Sequence, residues 1–279
     1  MKKSIIFSLL FISFSAVAIA QMQAPTSRQQ KSQQRKDKIN RLIKQEEEGA
    51  LVYNKQWLLG FNLNTDGWNV TYEHGKYKSL TKTNLWWLQL GERKDKHQTK
   101  VSTVYDYSNN TYYDTYSFIY GKQNTFYFLK LGLGNQMLIG GKQNKNGIAV
   151  SWIYGGGISL GMLKPYYLQI YNDSTGITTD MKYSSANYNI FTGNDSTKYI
   201  LGKSSWGKGF GDMQFTPGLH LRTALRFDYG RFNETLSAIE VGVNLEYYFN
   251  KMPIMVGNNG HNIFANAYVA IEFGHRKVK

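Results

Sequence analysis

The chain has 279 residues, no cysteine and a formal net charge of +14. Without cysteine it uses no disulfide and carries no cysteine-linked lipid anchor. Aromatic residues make up 15% of it, with 21 tyrosines and 6 tryptophans, a content that suits the interface girdles of membrane barrels.

The N-terminus reads "MKKSIIFSLLFISFSAVAIAQ". Two lysines, a short apolar run and Ala18-Ile19-Ala20 make a cleavable secretory signal over residues 1–20, too short for a membrane helix. Losing Lys2 and Lys3 with this leader lowers the charge from +14 to +12. Residues 21–52 follow as a polar, Gln-rich linker and a short periplasmic helix. In "KDKINRLIKQEEEG" (36–49), Ile39, Leu42 and Ile43 share one helical face, and Gly49 is a stop signal. The helix is read as resting exposed at the end of the following domain. The alternatives are a docking helix for a partner, with those three residues as its face, or a plug.

From residue 53 to 279 the period changes to two. No later apolar run is long enough for a membrane helix, so a membrane-spanning form would have to be a closed barrel. "QWLLGFNLNT" (56–65) sets Trp57, Leu59, Phe61 and Leu63 on one face, and Asp66-Gly67 marks a turn. "WNVTYEHG" (68–75) places Trp68, Val70 and Tyr72 outward and Asn69, Thr71 and Glu73 inward. "NLWWLQLGE" (84–92) is a third strand. "TFYFLKLGL" (125–133) and "QMLIGGK" (136–142) are taken as two strands around Gly134-Asn135. Residues 148–161 and "KPYYLQIYN" (164–172) follow. In "IAVSWIYGGGISLG" one parity carries Ile148, Val150, Trp152, Tyr154, Ile158 and Leu160. The other holds mostly Ala149, Ser151, Gly155, Gly157, Ser159 and Gly161.

The last three strands cover 218–228, 238–249 and 262–274. Leu219, Leu221, Leu225, Val243 and Phe273 fall on the apolar parity. His220, Arg222, Arg226, Glu240, Glu246 and Glu272 fall on the other. A soluble sandwich would expose long polar groups on its second face, not glycines. Small residues and paired charges suit a crowded polar interior, with the apolar parity against lipid. The expected fold is therefore all-β: a transmembrane antiparallel up-and-down barrel of about ten strands, within a range of eight to twelve. Residues 93–124 and 173–213 are its long outer loops, and 101–121 is a candidate hairpin above the membrane.

The strings "LNTDGW" (63–68), "YGKQNTFYFLKLGLGNQMLIGGKQNKNG" (120–147) and "YGGGISLGMLKPYYL" (154–168), with "RKDKIN" and "IKQEEEG", resemble an uncharacterised family of small outer-membrane β-barrel proteins of Bacteroidota. The resemblance spans most of the mature chain. It implies a barrel in the outer membrane of a Gram-negative bacterium and carries over no catalytic residue. One departure is the tail after Phe273, where many such barrels end on an aromatic residue.

No pair among the five histidines sits at metal-ligand spacing, so neither metal nor cofactor is expected. His220 joins Arg222, Arg226, Glu240, Glu246 and Glu272 in a lumen network, with Arg222 and Glu240 on neighbouring strands. The network is read as filling and neutralising the lumen. "ERKDKHQTK" (92–100) puts Arg93, Lys94, Lys96 and Lys100 in an outer loop; solvated loop charge is the default reading, and a surface attraction to lipopolysaccharide phosphates is the alternative. The expected role is a non-enzymatic scaffold that engages outer-membrane lipid and an envelope protein; nucleic acid is not an expected partner. A narrow channel or small-solute transporter with a charged lumen is the alternative, and a surface hydrolase using His74 with Asp114 or Asp173 is a third.

Overall fold

The computed structural model describes residues 32–33, 35–36, 53–79, 81–106, 113–142, 147–230 and 235–277. The described residues of the 32–36 stretch are helical. The leader, most of the predicted 36–49 helix, and Ile39, Leu42 and Ile43 lie outside the described residues.

Eight antiparallel strands close into a barrel. They are β1 (Lys55–Asn64), β2 (Gly67–Tyr77), β3 (Lys82–Arg93), β6 (Asn124–Gly140), β7 (Ala149–Pro165), β11 (Gln214–Asp228), β12 (Thr235–Met252) and β13 (His261–Lys277). Each pairs with the next in the chain, and β13 returns to β1 with Lys277 opposite Lys55 and Phe273 opposite Leu59. The strand therefore runs past Phe273, and the basic tail helps close the barrel. The chain enters and leaves at one end, together with the connections 78–81, 141–148 and 229–234. The opposite end carries 94–123, 166–213 and 253–260.

The count of ten is corrected to eight, and the reason lies in glycines mistaken for turns. Gly134-Asn135 sits inside the 17-residue β6, paired on both sides, with Asn135 opposite Asn84 and Tyr154. Gly134 has no positive φ. It is small because the Trp87 ring lies over it. Gly161 likewise sits inside β7, where a Cβ would come within 2.6 Å of Met252 and 2.9 Å of Tyr248. The barrel strand ends at Pro165, and the segment read as the seventh strand becomes mainly β8 (Tyr167–Asn172), which belongs to another sheet.

That second sheet is the core of a head built on the long connections. β8 lies between β9 (Ile177–Lys182) and β10 (Lys198–Lys203). The stretch 101–121 does form a hairpin, β4 (Lys100–Asp106) with β5 (Tyr113–Ile119). Phe118 of this hairpin is buried with Leu168, Ile170, Ile190 and Phe191, so hairpin and sheet share one apolar core. The Ile119 N–H donates to the Tyr166 hydroxyl at 3.1 Å, fastening the hairpin to the barrel's end.

Candidate functional site

The alternation along each strand sorts side chains onto two faces. On the outer face Trp57, Trp152, Leu221, Val243 and Phe273 are all exposed, as are Leu133, Ile158 and Ile263. Aromatic groups lie towards both ends of this face. Trp57, Trp86 and Trp152 are near the end that holds the chain termini; Trp68, Phe215 and Phe249 are near the head. Trp152 donates its indole N–H to Thr223 Oγ1 at 2.9 Å, so even this outward tryptophan leaves no bare donor.

The inner face is polar and buried. At its middle stand Arg222 and Arg226 of β11, both fully enclosed. Arg226 contacts Glu73 at 2.7 Å, Glu240 at 2.8 Å and Glu272 at 2.6 Å. Arg222 pairs with Glu240 and reaches Glu73 at 3.3 Å, while its Nε donates to the Tyr268 hydroxyl at 2.9 Å. In register Arg222 faces Asn244 and Arg226 faces Glu240, so the Arg222–Glu240 contact is diagonal. Towards the head, Glu246 binds Lys130 and Arg93 and accepts from the Tyr248 hydroxyl at 2.8 Å. Towards the opposite end, Asp228 pairs with Arg276 and Lys142.

Arg93 is a correction. Its neighbours in the sequence predict an outer loop shared with the lysines that follow it. It is the last residue of β3, buried, and ion-paired to Glu246 at 2.7 Å and Asp66 at 2.6 Å. Phe126, Phe128 and Phe264 surround its guanidinium at 4.6–5.6 Å. The inward parity had already placed Glu73 inside; its role as the shared partner of both arginines depends on the three-dimensional closure of β2 against β11.

The glycine wall has a tenant. Gly132 and Gly134 of β6 face Gly157 and Gly155 of β7, and Trp87 of β3 lies across them, fully buried. A Cβ at Gly132 would stand 2.3 Å from the indole, and one at Gly155 would stand 2.8 Å from it. Arg222 lies 5.1 Å above the same ring.

His220 lies between Trp87 and Ser159. The Trp87 indole N–H donates to His220 Nε2 at 3.2 Å, so the proton of a neutral ring sits on Nδ1, 3.1 Å from Ser159 Oγ. A serine nucleophile needs the opposite polarity, an imidazole nitrogen that accepts its proton. His74 is near the end of β2 away from the head, stacked on Trp86, whereas Asp173 and the strand bearing Asp114 are in the head region. The structure does not bring the three together. Among the described residues no cluster of three histidines, cysteines or acids is placed to hold a metal.

No family model matches the chain, and no curated protein does. Among solved structures, Neisserial surface protein A is similar at 7% identity, covering 80% of this chain and 94% of that one, with a TM-score of 0.35. The N-terminal β-barrel domain of Pseudomonas aeruginosa OprF gives 7%, 79%, 95% and 0.32. Ail, the attachment invasion locus protein of Yersinia pestis, gives 7%, 81%, 99% and 0.32. Scores this low decide nothing about this chain, whose closed barrel is read from its own strand pairing.

Proposed function

We propose that this chain is an integral outer-membrane β-barrel with a solid, non-conducting interior, and that its work is done by the head on its long loops. The carrying observation is the pairing of an apolar outer face with a charge-balanced, packed interior. Six interior cations, Arg93, Lys130, Lys142, Arg222, Arg226 and Arg276, contact six carboxylates, Asp66, Glu73, Asp228, Glu240, Glu246 and Glu272. Eight strands enclose a space that side chains fill, whereas water-filled porins need about sixteen. At the end away from the head, the cavity among Tyr53, Thr83, Gln136 and Ser151 measures about 20 Å³, room for roughly one water molecule.

In this reading the leader exports the chain, residues 21–52 stay in the periplasm, and the short connections face that side. The head then faces outward, beside outer-membrane lipid and lipopolysaccharide, as a non-enzymatic scaffold for an envelope partner. The test is conductance across planar bilayers. The pure protein should insert without stepwise current, and Arg222→Ala should not change that. Ohmic steps that Arg222→Ala alters would replace this reading with the channel. A stoichiometric partner captured from solubilised membranes and lost when residues 21–50 are deleted would assign the scaffold role to the N-terminal segment instead of the head.

A further inference from the structure

Where the head meets the barrel rim there is a cavity of about 340 Å³. Lys94, Lys100, Lys122, Lys164, Lys203 and Lys208 line it. Among the described residues the only acid in its wall is Glu92. Lys208 is already engaged by Asp180. Lys94, Lys100 and Lys203 make no ion pair among the described residues.

Lys122 is the informative member. It is 3% exposed, yet among the described residues no carboxylate lies within ion-pair reach. Among the described residues its Nζ has a 3.4 Å hydrogen bond to Gln98 Oε1 and the face of the Tyr166 ring at 5.4 Å. A buried ammonium without a counter-charge is costly, and like-charged neighbours raise the cost. Burial pulls the pKa of its ammonium down to about 8; Glu92 opposes this, and Lys203 and Lys94 add smaller downward pulls. Lys164, also buried, is fixed by donating to the Trp206 carbonyl and by lying 4.0 Å from the Phe210 ring centre. Among the described residues, Glu92 in the wall and Asp180 on Lys208 are too few to balance these lysines.

The remaining wall supplies the second half of a site. Trp206 and Tyr167 present aromatic surface, and Ser117 and Ser205 present hydroxyl groups; the buried Ser204 hydroxyl is bonded to Asp180. Trp206 is 64% exposed, with Lys164 Nζ and the Phe210 ring each 4.9 Å from its ring centre. An aromatic face takes the C–H face of a sugar, and lysine is a point-charge ligand for phosphate. The volume falls at the small end of small-ligand sites.

We propose that this cavity binds a phosphorylated sugar, with Lys94, Lys122 and Lys203 on the phosphate and Trp206 against the sugar ring. The proposal deepens the reading of the head as the working part. Two sources share this chemistry: the phosphorylated sugar headgroup of an outer-leaflet glycolipid and a soluble sugar phosphate.

The test is calorimetric titration of the full-length protein in detergent with fructose 1,6-bisphosphate, inorganic phosphate and fructose, at physiological salt. The bisphosphate should bind at least tenfold more tightly than inorganic phosphate, and fructose should not bind. Lys94→Ala and Lys203→Ala alter exposed side chains and should each weaken the bisphosphate severalfold. Trp206→Ala should weaken the bisphosphate while leaving inorganic phosphate unchanged. Equal affinity for bisphosphate and phosphate, or full affinity in the Lys94→Ala/Lys203→Ala double variant, would overturn the proposal. Displacement of the bisphosphate by micellar lipid A carrying its phosphates, but not by the dephosphorylated form, supports the lipid source. Binding without displacement supports the soluble one. A protein that binds the bisphosphate yet conducts ions would overturn the solid barrel and leave this site standing.

Discussion

The barrel interior and the rim cavity both gather basic residues away from bulk water, and they treat the charge in opposite ways. Inside the barrel six cations touch six carboxylates, and nearly every arginine has two acidic partners. At the rim six lysines share a cavity with Glu92, and among the described residues neither buried one, Lys122 or Lys164, has an acidic partner in ion-pair reach. Buried charge that is matched in place is costly to disturb, because removing one partner strands the other. Buried charge left unmatched is retained at a cost, and the cost is recovered when a ligand supplies the missing sign.

The largest effect should come from breaking the matched set. Glu240→Ala removes the carboxylate that Arg222 and Arg226 share and should cost about 3–5 kcal/mol, measured by urea unfolding in lipid vesicles. A cost within experimental error would mean that the interior pairs are replaceable by water. Leu221→Arg tests the outer face and should cost about 2–4 kcal/mol in the same assay, as a charge facing acyl chains does. Gly132→Ala pushes a methyl group into the Trp87 ring. It should cost about 1–3 kcal/mol and shift the near-ultraviolet signal of the buried indole.

The rim should respond differently. Affinity for fructose 1,6-bisphosphate should fall by up to about tenfold from pH 7 to 9, the change that one unit of linkage produces. The sign follows from Lys122, whose ammonium is lowered to about 8 by burial; a bound phosphate favours its charged form, so binding takes up a proton and weakens as pH rises. Glu92, Lys94, Lys203 and the Tyr166 ring face this group. Burial pushes the Tyr166 phenol up, which keeps it neutral across that range. Lys122→Gln should flatten the profile. Smallest of all, Lys203→Ala should change stability by no more than about 0.5 kcal/mol. A loss of several kcal/mol there would mean that this lysine holds the fold together, and the contrast with the interior would fail.

Face assignment was legible in the sequence because the two environments differ so sharply. Leu219, Leu221 and Leu225 alternate with His220, Arg222 and Arg226, and no one-residue slip reconciles them. Strand number was less legible. Gly134-Asn135 has the composition of a turn, and only the position of Trp87, 47 residues earlier in the chain, shows that the glycine is there to make room. Arg93 was misread because it opens a run of loop charges; its partner Glu246 lies 153 positions away. The rim cavity was beyond local reading altogether. Its lysines run from 94 to 208 along the chain and meet only when the hairpin and the three-stranded sheet fold over the barrel's end.

The proposed membrane barrel requires the apolar parity of its strands to lie against lipid while the polar parity is sealed inside. The chain has no cysteine, so Leu221→Cys carries a single nitroxide label. In vesicles, collision of that label with oxygen should greatly exceed collision with a water-soluble nickel chelate. A label relaxed by the nickel chelate as strongly as by oxygen would place Leu221 in water and contradict the claim.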